Sequence, residues 1–106
     1  MPSQITPREL KQRLDRGDDL IVLDVREAEE LALARLVGAV HIPMGEIAGR
    51  LHEIDSDAEI VVVCHHGVRS AQVASLLAQR AFVRVVNLTG GIDAWSQTVD
   101  PTVPRY

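Results

Sequence analysis

Residues 60–79 read "IVVVCHHGVRSAQVASLLAQ", and this stretch holds the single cysteine of the 106-residue chain. Four apolar residues, Ile60 to Val63, run directly into Cys64. Continuous rather than alternating apolarity predicts a strand buried on both faces. Residues 70–81 then read as a helix with a polar stripe at Gln72, Ser75 and Gln79; its other positions are mostly apolar, so most of its surface is expected to be covered. The loop between strand and helix, from His65 through Arg69, would aim backbone N–H groups at the sulfur, with the helix N-terminus beneath them. A thiolate is stabilised in such a place, and a bound anion finds donors ready. Gly67 permits the sharp turn. Arg69 supplies a permanent cation beside the sulfur or a hold on an anionic substrate. The competing reading is that Cys64 only fills a core, as most buried thiols do. The glycine and arginine on a strand–loop–helix favour chemistry. His65 and His66 read as loop walls or surface groups rather than bases.

Working outward, "ITPREL" carries the marks of a helix start. Thr6 is the N-cap, Pro7 the first helical residue, Glu9 the partner in a capping box, and Ile5 with Leu10 a hydrophobic staple. Gly17 suits the stop. "DDLIVLDVRE" holds an apolar run, Leu20 to Leu23, that ends in charge. "EAEELALAR" reads as a short helix with a solvated acidic face. "GAVHIPM" reads as a brief strand, and "EIAGRLHEI" sets Ile47, Leu51 and Ile54 at helical spacing. "VRVVNL" is a further strand, and "TGGIDAW" a glycine turn into a short helix. Strands alternating with helices predict one α/β domain over 1–106, a small, mainly parallel sheet with helices on both faces. A proline-containing irregular tail begins near residue 98. Ligands of such sheets gather outside the carboxyl ends of the strands, where Asp24, Cys64 and the Thr89–Gly90–Gly91 turn fall.

Composition narrows the function. The net charge is −4 and the basic residues are scattered, which argues against nucleic acid. No apolar run approaches the ~20 residues of a membrane span, and the first residues lack the order of a secretory signal. One cysteine cannot close an internal disulfide, which fits a cytoplasmic compartment. The histidines and cysteine lack the spacing of a zinc site, so no metal or cofactor is expected. A monomer is expected.

"CHHGVRS" resembles the active-site loop of the rhodanese-like sulfurtransferases. "LDVREAEE" resembles that family's Asp-x-Arg segment, "GAVHIPMGEI" its Gly-Ala…Ile-Pro segment, and "NLTGGIDAW" its Gly-Gly…Trp turn. The resemblance covers nearly the whole chain and is greatest to the small single-domain members. Ala34-Arg35-Leu36 stands where relatives often carry Gly-His-Ile. The resemblance implies a two-step transfer in which Cys64 takes a sulfane sulfur from a small anion such as thiosulfate and passes it to cyanide, a thiol or a protein. The amides of His65, His66, Gly67, Val68, Arg69 and Ser70 would cradle the persulfide. Asp24 and Arg26 read as an ion pair fixing the site, Gly90 and Gly91 as a turn allowing close backbone approach, and Trp95 as core. Phosphatases and arsenate reductases on such scaffolds resemble Cys-x5-Arg, whereas this chain has Cys-x4-Arg, a tighter ring. A non-catalytic binding module would be expected to lack the cysteine.

Overall fold

The computed structural model describes residues 3–106. In chain order the elements are β1 (Ser3–Ile5), α1 (Pro7–Asp15), β2 (Ile21–Asp24), α2 (Ala28–Leu33), β3 (Val40–His41), β4 (Glu59–Val63), α3 (Val68–Gln79), β5 (Arg84–Leu88) and α4 (Gly91–Thr98), with 3-10 turns at Met44–Glu46 and Leu51–Glu53. The strands form one sheet in the order β1-β5-β4-β2-β3, and every pairing is parallel.

The central strand explains the architecture. Ile60, Val61, Val62 and Val63 are fully buried, and burial of each such side chain contributes about 1.5–3 kcal/mol. Alternate residues point to opposite faces. Ile60, Val62 and Cys64 enter a core with Leu23, Ile42, Ile47, Val73 and Leu77. Val61 and Val63 enter a second core with Leu10, Leu88, Ile92 and Trp95. α3 and the 3-10 turns thus cover one face, and α1 and α4 the other.

α1 begins as its sequence predicts. The Thr6 hydroxyl accepts the Glu9 N–H at 3.1 Å, the Glu9 carboxylate accepts the Thr6 N–H at 3.0 Å, and Ile5 and Leu10 share a core. Past Arg16, Gly17 takes φ +79°, closing the helix. Three local features differ from expectation. β1 pairs with β5 although three residues are too short to show a period. "EIAGRLHEI" splits into separate 3-10 turns, because Gly45 and Gly49 weaken a continuous helix. α3 begins at Val68, two residues before the predicted start, and leaves Val68 and Ala78 exposed.

The chain runs outward from β2 to β3, then returns to β4 and runs the other way to β5. The order therefore reverses between β2 and β4, at whose carboxyl ends Asp24 and Cys64 stand. Crevices of open α/β sheets form at such switch points.

Candidate active site

Cys64 follows the last residue of β4 and has 1% of its surface exposed. Its Sγ accepts the Gly67 N–H at 3.1 Å and lies 3.3 Å from the Ser70 hydroxyl. The early start of α3 matters here. It places Ser70 in the first turn, and Gly67 as an N-cap has no side chain to occupy the helix's free N–H groups. Burial pushes the Cys64 thiol pKa up. The Ser70 hydroxyl and the N–H groups of Ser70, Gly67 and His66 together outweigh it, so the pKa falls below its ordinary value.

The loop is held shut from behind by α4. Ile92 N–H donates to the Cys64 carbonyl at 2.9 Å, and Asp93 N–H to the His65 carbonyl at 3.1 Å. This docking requires glycine at 91. Gly91 has φ +63°, and a Cβ there would lie 2.5 Å from both carbonyl oxygens. Gly67 (φ +99°) faces the same turn, where a Cβ would stand 3.2 Å from Gly90 N. Gly90 and Gly91 thus shape the backbone, as the sequence suggests.

Below the sulfur lies a polar network that sequence reading did not identify. The Ser70 hydroxyl also reaches Asn87 Oδ1. The Asn87 amide nitrogen donates to the Gly67 carbonyl and to Gln4 Oε1, both at 3.1 Å, which turns its oxygen toward Ser70. One hydroxyl proton thus faces two acceptors, Asn87 and Cys64.

Arg69 lies in α3's first turn, within charge range of Cys64, but its guanidinium is taken up by a carboxylate. Its guanidinium forms a bidentate pair with Glu30 at 2.6 and 2.8 Å. The expectation that Glu30 belongs to a solvated acidic face is therefore corrected: its side chain is 18% exposed, and it also accepts the Tyr106 hydroxyl at 2.7 Å. The Arg69 guanidinium is the main reason the Glu30 carboxyl is held down to about 2. Tyr106 also accepts from Arg26 at 2.9 Å. Arg26 in turn pairs with Asp24 at 2.7 Å, with both side chains essentially sealed from solvent, and donates to the Ala34 carbonyl.

The His65 ring is sandwiched, stacked on Tyr106 at 3.8 Å with 6° between planes, and against His66 at 3.8 Å and 31°. Its Nε2 is buried without a partner. Burial, followed by the neighbouring His66, depresses its pKa below the usual histidine value, which favours the neutral ring. His65, His66 and Asp93 bring ligating atoms within 4.8 Å of one another. The two imidazoles lie ring against ring, tilted by 31°. The Asp93 carboxylate is also engaged by Arg105 and Gln97.

A cavity of about 420 Å³ lies elsewhere, between Leu20, Val22, Leu36, Trp95 and Val103, and no residue of the cysteine loop lines it. Trp95 is buried in the α1–α4 core.

The chain is similar to known proteins over nearly its whole length. The family model described as "Rhodanese-like domain" matches residues 6–98. A protein named "Sulfurtransferase" from Allochromatium vinosum is 37% identical over 103 residues, covering 97% of this chain and 96% of the relative. The Bacillus subtilis "Putative sulfur carrier protein YrkF" is 38% identical over 93 residues, 88% of this chain but only 50% of that protein. The crystal structure of a rhodanese-like domain protein from Staphylococcus aureus superposes with a TM-score of 0.84 at 33% identity, covering 98% of each chain. With that family model matched over residues 6–98, a five-stranded parallel α/β sheet and these relatives, the chain belongs to the rhodanese-like domain family.

Proposed function

We propose that this protein moves a sulfane sulfur from a small donor such as thiosulfate to a thiophilic acceptor through a persulfide on Cys64. The observation that carries this reading is the convergence of donors on one buried sulfur: the Gly67 N–H at 3.1 Å and the Ser70 hydroxyl at 3.3 Å.

In the first step the Cys64 thiolate attacks the outer sulfur of the donor. A new S–S bond forms, the donor's S–S bond breaks, and its electron pair leaves with sulfite when thiosulfate is the donor. In the second step an acceptor such as cyanide takes the outer sulfur, the Cys64 S–S bond breaks, and the thiolate is restored. Dividing the transfer in this way is covalent catalysis. The persulfide's outer sulfur, ~2.0 Å beyond Sγ, would lie among the free N–H groups of the first turn of α3. The short Cys-x4-Arg loop around a buried sulfur favours a single added atom over a tetrahedral phosphate. A thiolate already stabilised by the loop needs no general base. Asp24, Arg26, Gly90 and Gly91 support the loop without touching the reacting atoms.

A second reading shares the first step. The persulfide passes to a protein acceptor, and the likeness to a protein named as a sulfur carrier favours keeping it. We take the protein to act as a cytoplasmic monomer, without metal, cofactor, nucleic acid or membrane. Steady-state thiocyanate formation from thiosulfate and cyanide tests the enzymatic reading. Turnover by the native chain and none by Cys64→Ser is expected; equal rates would refute it.

A further inference from the structure

The cation nearest the sulfur in sequence is already matched by an anion. Arg69 is held at 2.6 and 2.8 Å by both carboxylate oxygens of Glu30. Glu30 is itself fixed by the Tyr106 hydroxyl at 2.7 Å and by the Glu27 backbone N–H, to which it caps α2. The other charges around the loop are matched too: Arg26 by Asp24 and Asp93 by Arg105. What remains to attract an anion is the set of N–H dipoles on the loop and α3. These suit one negative charge on one sulfur atom. They offer little to a dianion approaching a thiolate, which repels it.

Building on the assignment of Cys64 as the sulfur carrier, we propose that Glu30 is a specificity-determining positioning residue. By pairing with Arg69 under the hold of Tyr106, it cancels the cation that follows the cysteine loop and favours organic persulfides over small dianions as sulfur donors. The transfer balances without a redox partner. The Cys64 thiolate attacks the outer sulfur of R–S–SH, the new S–S bond forms as the old one breaks, the proton stays on the transferred sulfur, and the electron pair leaves as the thiolate R–S⁻. A carboxylate that holds the arginine also keeps it from the persulfide once formed, so the outer sulfur stays available to an acceptor.

The test uses two alkylating probes of nearly equal size, iodoacetate with one negative charge and iodoacetamide with none. Because Cys64 is the single cysteine, the ratio of their rate constants reads the field at its sulfur and cancels differences in thiolate fraction. Glu30→Gln should raise the iodoacetate-to-iodoacetamide ratio about fivefold, the scale of one unmatched charge near a partly exposed site. Tyr106→Phe keeps the ring on His65 and removes the hydroxyl that fixes Glu30, along with its bond from Arg26, which keeps its pair with Asp24. It should raise the ratio about twofold, and it carries the test if Glu30→Gln does not fold. The double variant Glu30→Gln/Arg69→Gln should return to the native ratio. In loading experiments, Glu30→Gln should narrow the preference for an alkyl persulfide over thiosulfate by a similar factor. An unchanged ratio in Glu30→Gln, or a rise that survives in the double variant, overturns the assignment of Glu30. Failure of both donors to load Cys64 would instead refute sulfur transfer, while the alkylation ratios still decide what Glu30 does.

Discussion

Gly91 and Cys64 are locked together through the backbone: a Cβ on Gly91 would lie 2.5 Å from the Cys64 carbonyl oxygen, the same oxygen that accepts the Ile92 N–H at 2.9 Å. The cysteine loop therefore depends on a glycine far along the chain. Gly91→Ala must both adopt φ +63° and push two carbonyls away. The left-handed backbone alone costs ~1–3 kcal/mol, and the overlap adds to it. Denaturant titration should show at least that loss. Native stability in the alanine variant would mean that α4 does not clamp the loop.

Ser70 is the side chain that most directly stabilises charge on the sulfur. Its hydroxyl lies 3.3 Å from Sγ, and Asn87 competes for the same proton. Ser70→Ala should raise the pH midpoint of Cys64 alkylation by roughly half to one unit, less than an uncontested bond to a charged group would give. The measurement is the iodoacetamide rate against pH. A midpoint that stays put would assign the stabilisation to the N–H groups alone.

The two histidines should matter little to that midpoint. Burial and His66 depress the His65 pKa, favouring its neutral form, and His66 lowers the Cys64 pKa through its backbone N–H. Replacing both with Gln keeps every backbone donor. The expected outcome is an unchanged pH–rate midpoint; a clear upward move would show a histidine acting as base or cationic partner.

Glu30 should leave its mark on acid stability. Arg69 holds its carboxyl down to about 2, against an ordinary 4.5. Because the folded pKa is the lower one, the stabilisation is complete above about 4.5 and is lost as pH falls toward 2. The stability difference between native protein and Glu30→Gln should therefore be greatest near neutral pH and shrink through that window. A difference independent of pH would mean that the carboxylate's charge is not what stabilises.

What was legible in the sequence was local. The Thr6–Glu9 capping box, the apolar run into Cys64 and the glycines at 67, 90 and 91 each state their conformation within a few residues. β1 was hidden because Ser3–Ile5 becomes a strand only through pairing with β5. The Arg69–Glu30 pair spans 39 positions and the Arg26–Tyr106 bond spans 80. No spacing rule links such residues before the sheet brings the strand ends together. An acidic run that reads as solvated can thus hide one carboxylate committed to the site, and Asn87 is an ordinary strand residue until Ser70 and Gly67 are placed beside it.

The most direct measurement is the intact mass of the protein after exposure to a sulfane-sulfur donor, with thiosulfate and an alkyl persulfide in separate arms. A gain of one sulfur atom is expected that maps to Cys64, disappears on adding cyanide, and is absent in Cys64→Ser. A native chain that gains no sulfur from either donor, or a serine variant that gains as much, would contradict it.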